Sequence, residues 1–412
     1  MKSRNNILLI IVDCLRADFV QNSEKLLLQT ITRLKKNGFY LLSAISSTST
    51  TSPSFSSILT GLYPYETGVR TLAGFSLRED VVTLPQVLKE SGYHTYAEVT
   101  GPLVAEIGLC RGFERYHYRS RRRTIHTDWG RELVRKFKNF YKPPWFVLLH
   151  IWPLHDQKTY YEGLYTRELG RIDRYLSNLF SSLDEKTVII LTSDHGEEIE
   201  KRVIALTWKR AGRTIYKAAK KRGLIKTHYG KGLRKLRLDL GHGHGLYEPQ
   251  VRIPLIFFHP SFLAPGCSTY QVRQIDIFPT IVDLAGIDCK MEVTGKSLLP
   301  IMEGRDKRHR DAYLEATGRI IARKNEWVAG LRVDNKFKYI YSPFREDYEE
   351  ELYDLEQDPE ERENIAPKKR ELALRLRRRI ERMKTEAMRG KEMDREEQKK
   401  LVKKLRDLGY TD

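Results

Sequence analysis

The sequence NILLIIVD, residues 6–13, is a short apolar run that ends in an aspartate. Its apolar part, from Ile7 to Val12, has only six residues. The core of a signal peptide needs about 7–15 apolar residues and a membrane helix about 20. We therefore predict a buried β-strand that delivers Asp13 at its carboxyl end.

Apolar runs of this kind alternate with helical patterns along the chain. Strand-like runs occupy residues 93–100, 145–151, 187–194 and 252–260. Between and after them, helical patterns occupy residues 51–64, 81–92, 165–183 and 274–287. This alternation predicts an α/β fold with a mostly parallel central sheet flanked by helices. Ligands of such sheets bind beyond the carboxyl ends of the strands.

The length of the chain indicates more than one structural unit. A chain of 412 residues with 40% apolar content exceeds the usual size of one small domain. We predict a large domain over residues 1–300, with a basic insertion at about 199–240, followed by a smaller α+β subdomain over 301–365. Residues 366–412 are predicted to form a charged helical tail that packs on the subdomain, with a partner-binding helix as the alternative.

The cysteines indicate a reducing compartment. They are scattered, without the paired spacing of a disulfide framework or of a structural zinc site. No segment reaches the roughly 18 uninterrupted apolar residues of a membrane span. We therefore expect a soluble cytoplasmic protein with reduced thiols at four positions: Cys14, Cys110, Cys267 and Cys289.

Much of the net charge of +19 comes from one block. Between Lys201 and Arg237 there are fourteen Lys or Arg residues and no Asp or Glu. Such a block attracts polyanions by releasing their counterions, and the candidates are a phosphorylated or sulfated glycan, a lipid head group and a nucleic acid. A solvated basic helix without a partner is the alternative.

Polar side chains occupy the ends of three predicted strands. Asp13 ends the first strand, His150 lies near the end of another, and Asp194 with His195 ends a third. The carboxyl ends of parallel strands meet at one edge of the sheet, and carboxylates with imidazoles suit a divalent metal ion. Asp13 taken alone is also explained as a helix cap.

A run of hydroxyl side chains lies within TSTTSPSFSSILTGLYPYETG, residues 48–68. A helix that begins after such a turn presents backbone N–H groups to an anion. A hydroxyl next to a divalent cation is acidified toward a nucleophile. Together these features indicate transfer of a phosphoryl or sulfuryl group, with Ser49, Thr50, Thr51 and Ser52 as candidate nucleophiles.

The chain resembles the sulfatases, a family of the alkaline phosphatase superfamily, in eight segments that occur in the family's order. The segments are NILLIIVDCLRAD (6–18), TSPSFSSILTGLYPYETGV (51–69), HIWPLHD (150–156), TSDHGEE (192–198), HGHGLYEPQVRIPLI (242–256), DIFPTIVDLAGI (276–287), GKSLLP (295–300) and ELYDLEQDPEERENIA (351–366). The resemblance implies an alkaline phosphatase-like fold and hydrolysis of anionic esters.

The resemblance also implies roles for particular residues. Thr51 takes the nucleophile position, and its oxygen joins Asp13, Asp194 and His195 as ligands of one divalent ion: manganese, zinc, calcium or magnesium. The family pattern leaves room for a second metal ion. The positions that contact the substrate or protonate the leaving group are His155 and His242. Substrate binding is further assigned to His150, His244, Lys201 and Arg202.

Two departures from the family bear on the chemistry. Sulfatases that mature a formylglycine carry Cys or Ser where this chain has Thr51, and Arg where it has Phe55. We therefore expect no formylglycine, which favours phosphoesters or phosphonate esters over sulfate esters, with an arylsulfatase-like activity as the alternative. Cys14 replaces a common aspartate ligand and is either a soft ligand favouring zinc or a buried small apolar residue.

A protein of another class remains as an alternative. A basic polyanion-binding protein would keep the fold and the charged block without catalysis. Such a protein would have no use for the complete set of metal-binding and imidazole side chains, so the hydrolase is the preferred interpretation.

Overall fold

The computed structural model describes residues 4–156, 160–227, 229–236, 238, 240–288, 291–318, 320–385 and 393–407. An eight-stranded sheet forms the centre of its larger part. In chain order its strands are β1 (Asn6–Val12), β2 (Phe39–Ile45), β3 (His94–Val99), β4 (Arg115–Tyr118), β5 (Trp145–Ile151), β6 (Thr187–Thr192), β7 (Arg252–Phe258) and β8 (Gly266–Arg273). In space the order is β4-β3-β5-β1-β6-β7-β2-β8, and only β7 pairs antiparallel to its neighbours. The predicted mostly parallel sheet is confirmed.

The first strand is buried on both faces. Its seven residues are all buried, and alternate side chains enter different apolar clusters. Ile7 and Leu9 pack into one cluster, whereas Leu8 and Ile10 pack into the other. A strand that is covered on both faces needs a continuous apolar run rather than an alternating pattern. This explains why the first strand has an unbroken apolar sequence.

Helices cover the sheet. They are α1 (Ala17–Gln21), α2 (Gln29–Asn37), α3 (Thr51–Thr60), α4 (Pro64–Thr67), α5 (Leu84–Glu90), α6 (Asp128–Asn139), α7 (Glu162–Phe180), α8 (Val203–Lys221), α9 (Tyr229–Lys235), α10 (Glu248–Val251), α11 (Ile277–Leu284) and α12 (Leu299–Met302). Among the described helices, none has both the length and the apolar content that a bilayer crossing requires. The cytoplasmic location stays a prediction. Three cysteines lie in the described residues, and all three are free: Cys14, Cys110 and Cys267.

A second sheet forms the smaller, C-terminal part. It is antiparallel, and its strands are β9 (Ala312–Ala316), β10 (Val328–Val333), β11 (Phe337–Tyr341) and β12 (Glu351–Asp354). Helix α13 (Arg370–Thr385) packs Leu376 and Ile380 against this sheet. Helix α14 (Arg395–Asp407) instead places Leu401 and Leu405 in a core cluster of the larger part. The smaller α+β part is confirmed. Within the described residues of the tail, α13 packs on this part and α14 packs on the larger part. The exact domain boundaries stay a prediction.

The basic insertion leaves and re-enters the larger part at one point. Glu198 and Gly241 form a two-hydrogen-bond bridge, with N···O distances of 3.3 and 3.0 Å. Helices α8 and α9 lie beyond this bridge. Ion pairs tie the insertion to the body, among them Lys231 to Glu349 at 3.1 Å and Arg234 to Glu198 at 3.3 Å.

Candidate active site

The strand order brings the predicted metal ligands together. Strands β5, β1 and β6 are neighbours, and Asp13, His150, Asp194 and His195 lie at their carboxyl ends with no exposed surface. His150 Nε2 is 3.1 Å from Asp13 Oδ2. His195 Nε2 is 3.4 Å from Asp194 Oδ2 and 3.9 Å from Asp13 Oδ1. We call these four residues the carboxylate–imidazole cluster.

Thr51 lies next to this cluster as the first residue of α3. The preceding Thr50 has an extended backbone, Pro53 occupies the first turn, and the helix ends at Gly61 with a φ of 70°, a left-handed conformation that glycine adopts without strain. The Thr51 side chain is buried, and its Oγ1 is 3.4 Å from His195 Nε2. The helix therefore directs its N-terminal N–H groups and one hydroxyl toward the cluster.

The neighbouring hydroxyl groups have other partners. Ser49 donates to the Gly245 carbonyl at 2.8 Å, and Ser52 donates to the Pro102 carbonyl at 3.3 Å. Thr50 pairs with the hydroxyl of Thr48 at 3.2 Å. Of the four candidate nucleophiles, Thr51 is the one that the structure places against an imidazole of the cluster.

The two carboxylates of the cluster repel each other. Burial raises the pKa of Asp13 well above its usual 3.8, and the nearby Asp194 raises it further, while His195 lowers it. In the part of the chain that the structure describes, every ion pair of these two carboxylates is with an imidazole. Asp194 Oδ2 is buried and accepts no hydrogen bond. An added cation would satisfy both groups.

The imidazoles present acceptor atoms to the carboxylates. His150 Nδ1 lies 3.2 Å from the Thr100 carbonyl, so Nδ1 carries the proton and the lone pair of Nε2 points at Asp13. Burial lowers the pKa of His150 to about 3, which keeps this ring neutral. A lone pair facing a carboxylate oxygen is repulsive unless a proton or a metal ion lies between them. The donor set therefore fits a divalent cation with oxygen and imidazole ligands.

His195 has the same orientation. Its Nδ1 donates to the Gly196 carbonyl at 2.9 Å, so Nε2 faces Thr51 and the carboxylates. Burial by itself lowers the pKa of His195, but Asp194 and Asp13 together reverse this effect and raise it. Without another cation in the cluster, this imidazole would hold a proton, and its positive charge would partly balance the two carboxylates.

His242 and His155 extend the site toward its surface. The ring centroid of His242 is 4.3 Å from that of His195 and 4.9 Å from that of His155. His155 stacks on Trp152 at 3.9 Å and is partly exposed, whereas His242 is buried. The three imidazoles are therefore in contact in sequence, and the partly exposed His155 also comes within 4.8 Å of Asp13 and Cys14.

Glu197 is a residue of this site that the sequence did not reveal. Its carboxylate is fully buried, and Oε2 is 2.9 Å from His242 Nδ1. A carboxylate only accepts, so Nδ1 carries a proton and the other ring nitrogen is held toward the site. The available signal was the position of Glu197 two residues after His195. Its partner lies 45 residues away, beyond the insertion.

Cys14 lies inside the site rather than beside it. Its backbone has a φ of 61°, and its Sγ is 3.0 Å from Asp13 Oδ1 and 3.7 Å from His242 Nδ1. Burial and then Asp13 raise the pKa of this thiol well above its usual 9. The side chain therefore donates S–H to Asp13 as a thiol. Its sulfur could join a metal group with His195 and His242, whose ligand atoms lie within 4.8 Å.

The remaining predicted binding residues are distributed differently. His150 lies in the buried cluster, where it contacts Asp13. His244 is buried and donates to the His242 carbonyl at 2.9 Å. Lys201 and Arg202 are exposed just before α8 and line a groove of about 1620 Å³ between the insertion and the body. None of the cluster residues lines this groove. The assignment of these four residues to substrate binding stays a prediction.

Comparison with protein families identifies the class of protein. A model described as sulfatase matches residues 5–287, and a model described as N-sulphoglucosamine sulphohydrolase, C-terminal, matches residues 243–386. The first match covers more than half of the chain. The chain belongs to the sulfatase family, as the eight sequence segments predicted.

Individual curated relatives match shorter stretches of the chain. The Delta 4,5-hexuronate-2-O-sulfatase of Bacteroides thetaiotaomicron is 29% identical over 150 residues, which are 35% of this chain and 30% of that protein. Arylsulfatase K of Mus musculus is 28% identical over 206 residues, 48% of this chain and 30% of the relative. The matched stretches thus span less than a third of either relative.

A solved structure shares the fold over nearly the whole chain. The phosphonate monoester hydrolase of Silicibacter pomeroyi superposes with a TM-score of 0.68 at 18% identity, covering 94% of this chain and 96% of that one. At this identity the likeness concerns the fold. The α/β architecture with a smaller C-terminal sheet is therefore that of the family.

Proposed function

We propose that this protein is a metal-dependent hydrolase of anionic esters in which Thr51 is the nucleophile. The observation that carries the proposal is the position of Thr51 Oγ1, 3.4 Å from His195 Nε2 at the start of α3. The hydroxyls of Ser49 and Ser52 donate to carbonyl oxygens instead. Membership of the sulfatase family supports the reaction class.

The metal ligands that we propose are Asp13, Asp194, His195 and the Thr51 oxygen. When bound, a divalent cation would lower the pKa of the Thr51 hydroxyl and balance the negative charge of the ester. His150 Nε2 faces Asp13 and is a further candidate ligand. Imidazole among the ligands favours manganese or zinc over calcium. Cys14 serves as an S–H donor to Asp13, which agrees with its raised pKa.

The imidazoles at the mouth would handle the leaving group. Glu197 fixes the Nδ1 proton of His242 and stabilises the positive charge of the ring when it is protonated. His155 packs against His242 and reaches solvent, so it can exchange protons with water. We assign His242 and His155 to protonation of the leaving oxygen, with Glu197 as a positioning residue.

Phosphorus esters are the preferred substrates. Attack of Thr51 would form a phosphothreonine, which water can open at phosphorus next to the cluster. A threonine sulfate ester lacks the hydrate hydroxyl through which formylglycine eliminates sulfate, so its release would be slow. The phosphonate monoester hydrolase with this fold agrees with this preference. Sulfate esters are the second candidate, favoured by the names of the curated relatives.

A substrate panel tests the proposal. The panel contains p-nitrophenyl phosphate, bis-p-nitrophenyl phosphate, a phenylphosphonate ester and p-nitrophenyl sulfate, each assayed with manganese, zinc, magnesium or calcium. We expect metal-dependent turnover of a phosphorus ester that falls by at least about 10⁴-fold in Thr51→Ala. Ser52→Ala is the matched control, because Ser52 is the next hydroxyl in the helix, and it should retain activity.

Three other outcomes would contradict parts of the proposal. Turnover of the sulfate ester alone would overturn the preference for phosphorus. Equal losses in Thr51→Ala and Ser52→Ala would remove the assignment of the nucleophile. No turnover of any ester with any metal would favour a binding protein that has kept the fold.

A further inference from the structure

Helix α8 of the basic insertion has its apolar side turned outward. Ile204, Trp208 and Ile215 are 74%, 73% and 70% exposed. Ala211 and Ala218 are also exposed, and the five positions follow the spacing i, i+4, i+7, i+11 and i+14. This spacing places all five on one side of a helix. We call this set the α8 apolar stripe.

The opposite side of the helix contacts the protein. Leu206 and Tyr216 are buried, and the Arg213 guanidinium donates to the Leu240 carbonyl. Lys209 on the same side pairs with Glu200 at 3.0 Å. The helix is therefore anchored by a partly charged face and presents Ile204, Trp208 and Ile215 to the outside. A helix on a protein surface normally buries its apolar side and exposes its charged side. The exposed stripe therefore indicates a binding surface.

The charges beside the stripe are positive. Arg210, Lys217 and Lys221 are exposed on one flank, and Arg222 follows the end of the helix. The sequence VIALTWKRAGRTIYKAAKK contains no acidic residue. Outward Ile and Trp side chains beside Lys and Arg are typical of helices that lie in the interface of an anionic bilayer.

We propose that the α8 apolar stripe and its basic flank form a docking surface for a bilayer that contains anionic lipids. The helix lies along the bilayer surface, with Ile204, Trp208 and Ile215 among the acyl chains and the basic side chains at the phosphates. This role concerns the insertion and does not depend on the chemistry proposed for Thr51.

Charge and apolarity together distinguish the bilayer from other occupants. A second copy of the chain would bring two basic flanks together in a protein whose net charge is +19. A nucleic acid or a sulfated glycan would neutralise Arg210 and Lys217 but would leave the apolar stripe in water. An anionic bilayer satisfies both features.

The exposed tryptophan offers a direct probe. The protein has five tryptophans, and the other four are at most 8% exposed: Trp129, Trp145, Trp152 and Trp327. We expect vesicles of phosphatidylcholine mixed with phosphatidylglycerol to shift the tryptophan emission of the 412-residue chain to shorter wavelength and to protect it from quenching by acrylamide. Vesicles of phosphatidylcholine alone should have a much smaller effect. Trp208→Phe should abolish the change.

Co-sedimentation with the same vesicles measures the affinity. We expect Ile204→Ser with Ile215→Ser to weaken binding to anionic vesicles at least tenfold, and Arg210→Glu with Lys217→Glu to do the same. Leu27→Ser is the control, because Leu27 is 83% exposed outside the insertion. Circular dichroism of each variant should match the wild type, since none of these side chains is buried.

Four results would overturn the proposal. The first is that the protein does not bind anionic vesicles, and the second is that the Ile204→Ser, Ile215→Ser variant binds them as well as the wild type. The third is a shift of the Trp208 emission that depends on protein concentration when no vesicles are present. The fourth is tight binding to heparin or DNA by a protein that does not bind vesicles. The third would indicate a second copy as the occupant, and the fourth a soluble polyanion. Loss of ester hydrolysis in Thr51→Ala has no bearing on these readouts.

Discussion

Two buried acidic clusters in this molecule are balanced in different ways. Near the C-terminal sheet, the fully buried Lys338 ammonium lies 2.8 Å from Glu248 and 2.7 Å from Glu361, and Arg332 adds a contact of 3.0 Å to Glu248. At the strand ends, the ion pairs that Asp13 and Asp194 form with described residues are all with imidazoles. Near the C-terminal sheet the chain supplies its own cations, whereas at the strand ends it supplies imidazoles, which agrees with the metal site that we propose there.

The pKa values of Glu248 and Asp13 follow this difference, whereas that of Glu361 departs from it. Burial alone would raise the pKa of Glu248, but Arg332 and Lys338 outweigh it and hold the pKa well below the usual 4.5. Glu361 shares Lys338 and keeps a raised pKa, because burial outweighs the attraction of Lys338 and Arg234. Among the described residues no ammonium or guanidinium forms an ion pair with Asp13, and both burial and Asp194 raise its pKa.

The largest effect should come from breaking the cluster at the strand ends. Asp194→Asn should lower kcat/KM by about 10³-fold, as expected for losing several kcal/mol of metal stabilisation in the transition state. In the presence of a chelator, however, its free energy of unfolding should equal or exceed that of the wild type, since one of two repelling charges is gone. Steady-state kinetics and urea unfolding measure the two effects. A marked destabilisation in chelator would show that the hydrogen bonds to Asp194 and its contact with His195 outweigh the repulsion from Asp13.

At the Lys338 cluster we expect the opposite result, a loss of stability without a loss of activity. Lys338→Met should lower the free energy of unfolding by about 3–5 kcal/mol, because it leaves two buried carboxylates without their ammonium. Adding Glu361→Gln should recover part of this loss. Urea unfolding checks the stability, and kcat/KM of the folded fraction should be unchanged. A loss below about 1 kcal/mol, the value of an exposed pair, would contradict the account.

The smallest effect is a pH dependence confined to metal-free protein. Asp13 and His195 both have raised pKa values in the folded state, so the folded state holds their protons more tightly than the unfolded state. The stability they contribute is therefore lost as pH rises through the folded pKa values. His150, whose pKa is lowered to about 3, adds no slope above its unfolded value of 6.5.

From pH 6.5 upward, the Tm of metal-free protein should therefore fall relative to that of metal-loaded protein. The slope is at most about 1.4 kcal/mol per pH unit for each proton. Thermal melts with and without chelator, from neutral to mildly alkaline pH, measure this widening gap, and Asp13→Asn should narrow it. Parallel curves for the two forms would argue against the cluster as the site of metal binding.

The sequence predicts the strands that carry the cluster better than the contacts around it. Strands β1, β5 and β6 are continuous apolar runs because they are buried on both faces, and their ends meet because they are parallel. Strands β2 and β8, with the sequences FYLLSAI and GCSTYQVR, carry mixed patterns and were not predicted. The antiparallel direction of β7 was also not visible in its composition.

The individual contacts of the site depend on residues that are far apart in the sequence. Glu197 meets His242 because Glu198 and Gly241 close the insertion, and no local pattern specifies that bridge. The resemblance to the family singles out Thr51, but the contacts that separate it from its neighbours are all long-range: Thr51 approaches His195, whereas Ser49 and Ser52 donate to distant carbonyls. The periodicity of α8 shows that it has an apolar side but not that this side faces outward.

The most direct test of the central claim is a count of the bound metal. Wild type, Lys338→Met and the Asp13→Asn, Asp194→Asn double variant would be equilibrated with manganese or zinc, desalted and measured by inductively coupled plasma mass spectrometry. Since one cluster requires a single added cation, the account predicts about one ion per chain in the first two proteins and almost none in the double variant. Equal metal content in the double variant, or none in the wild type with either metal, would contradict it.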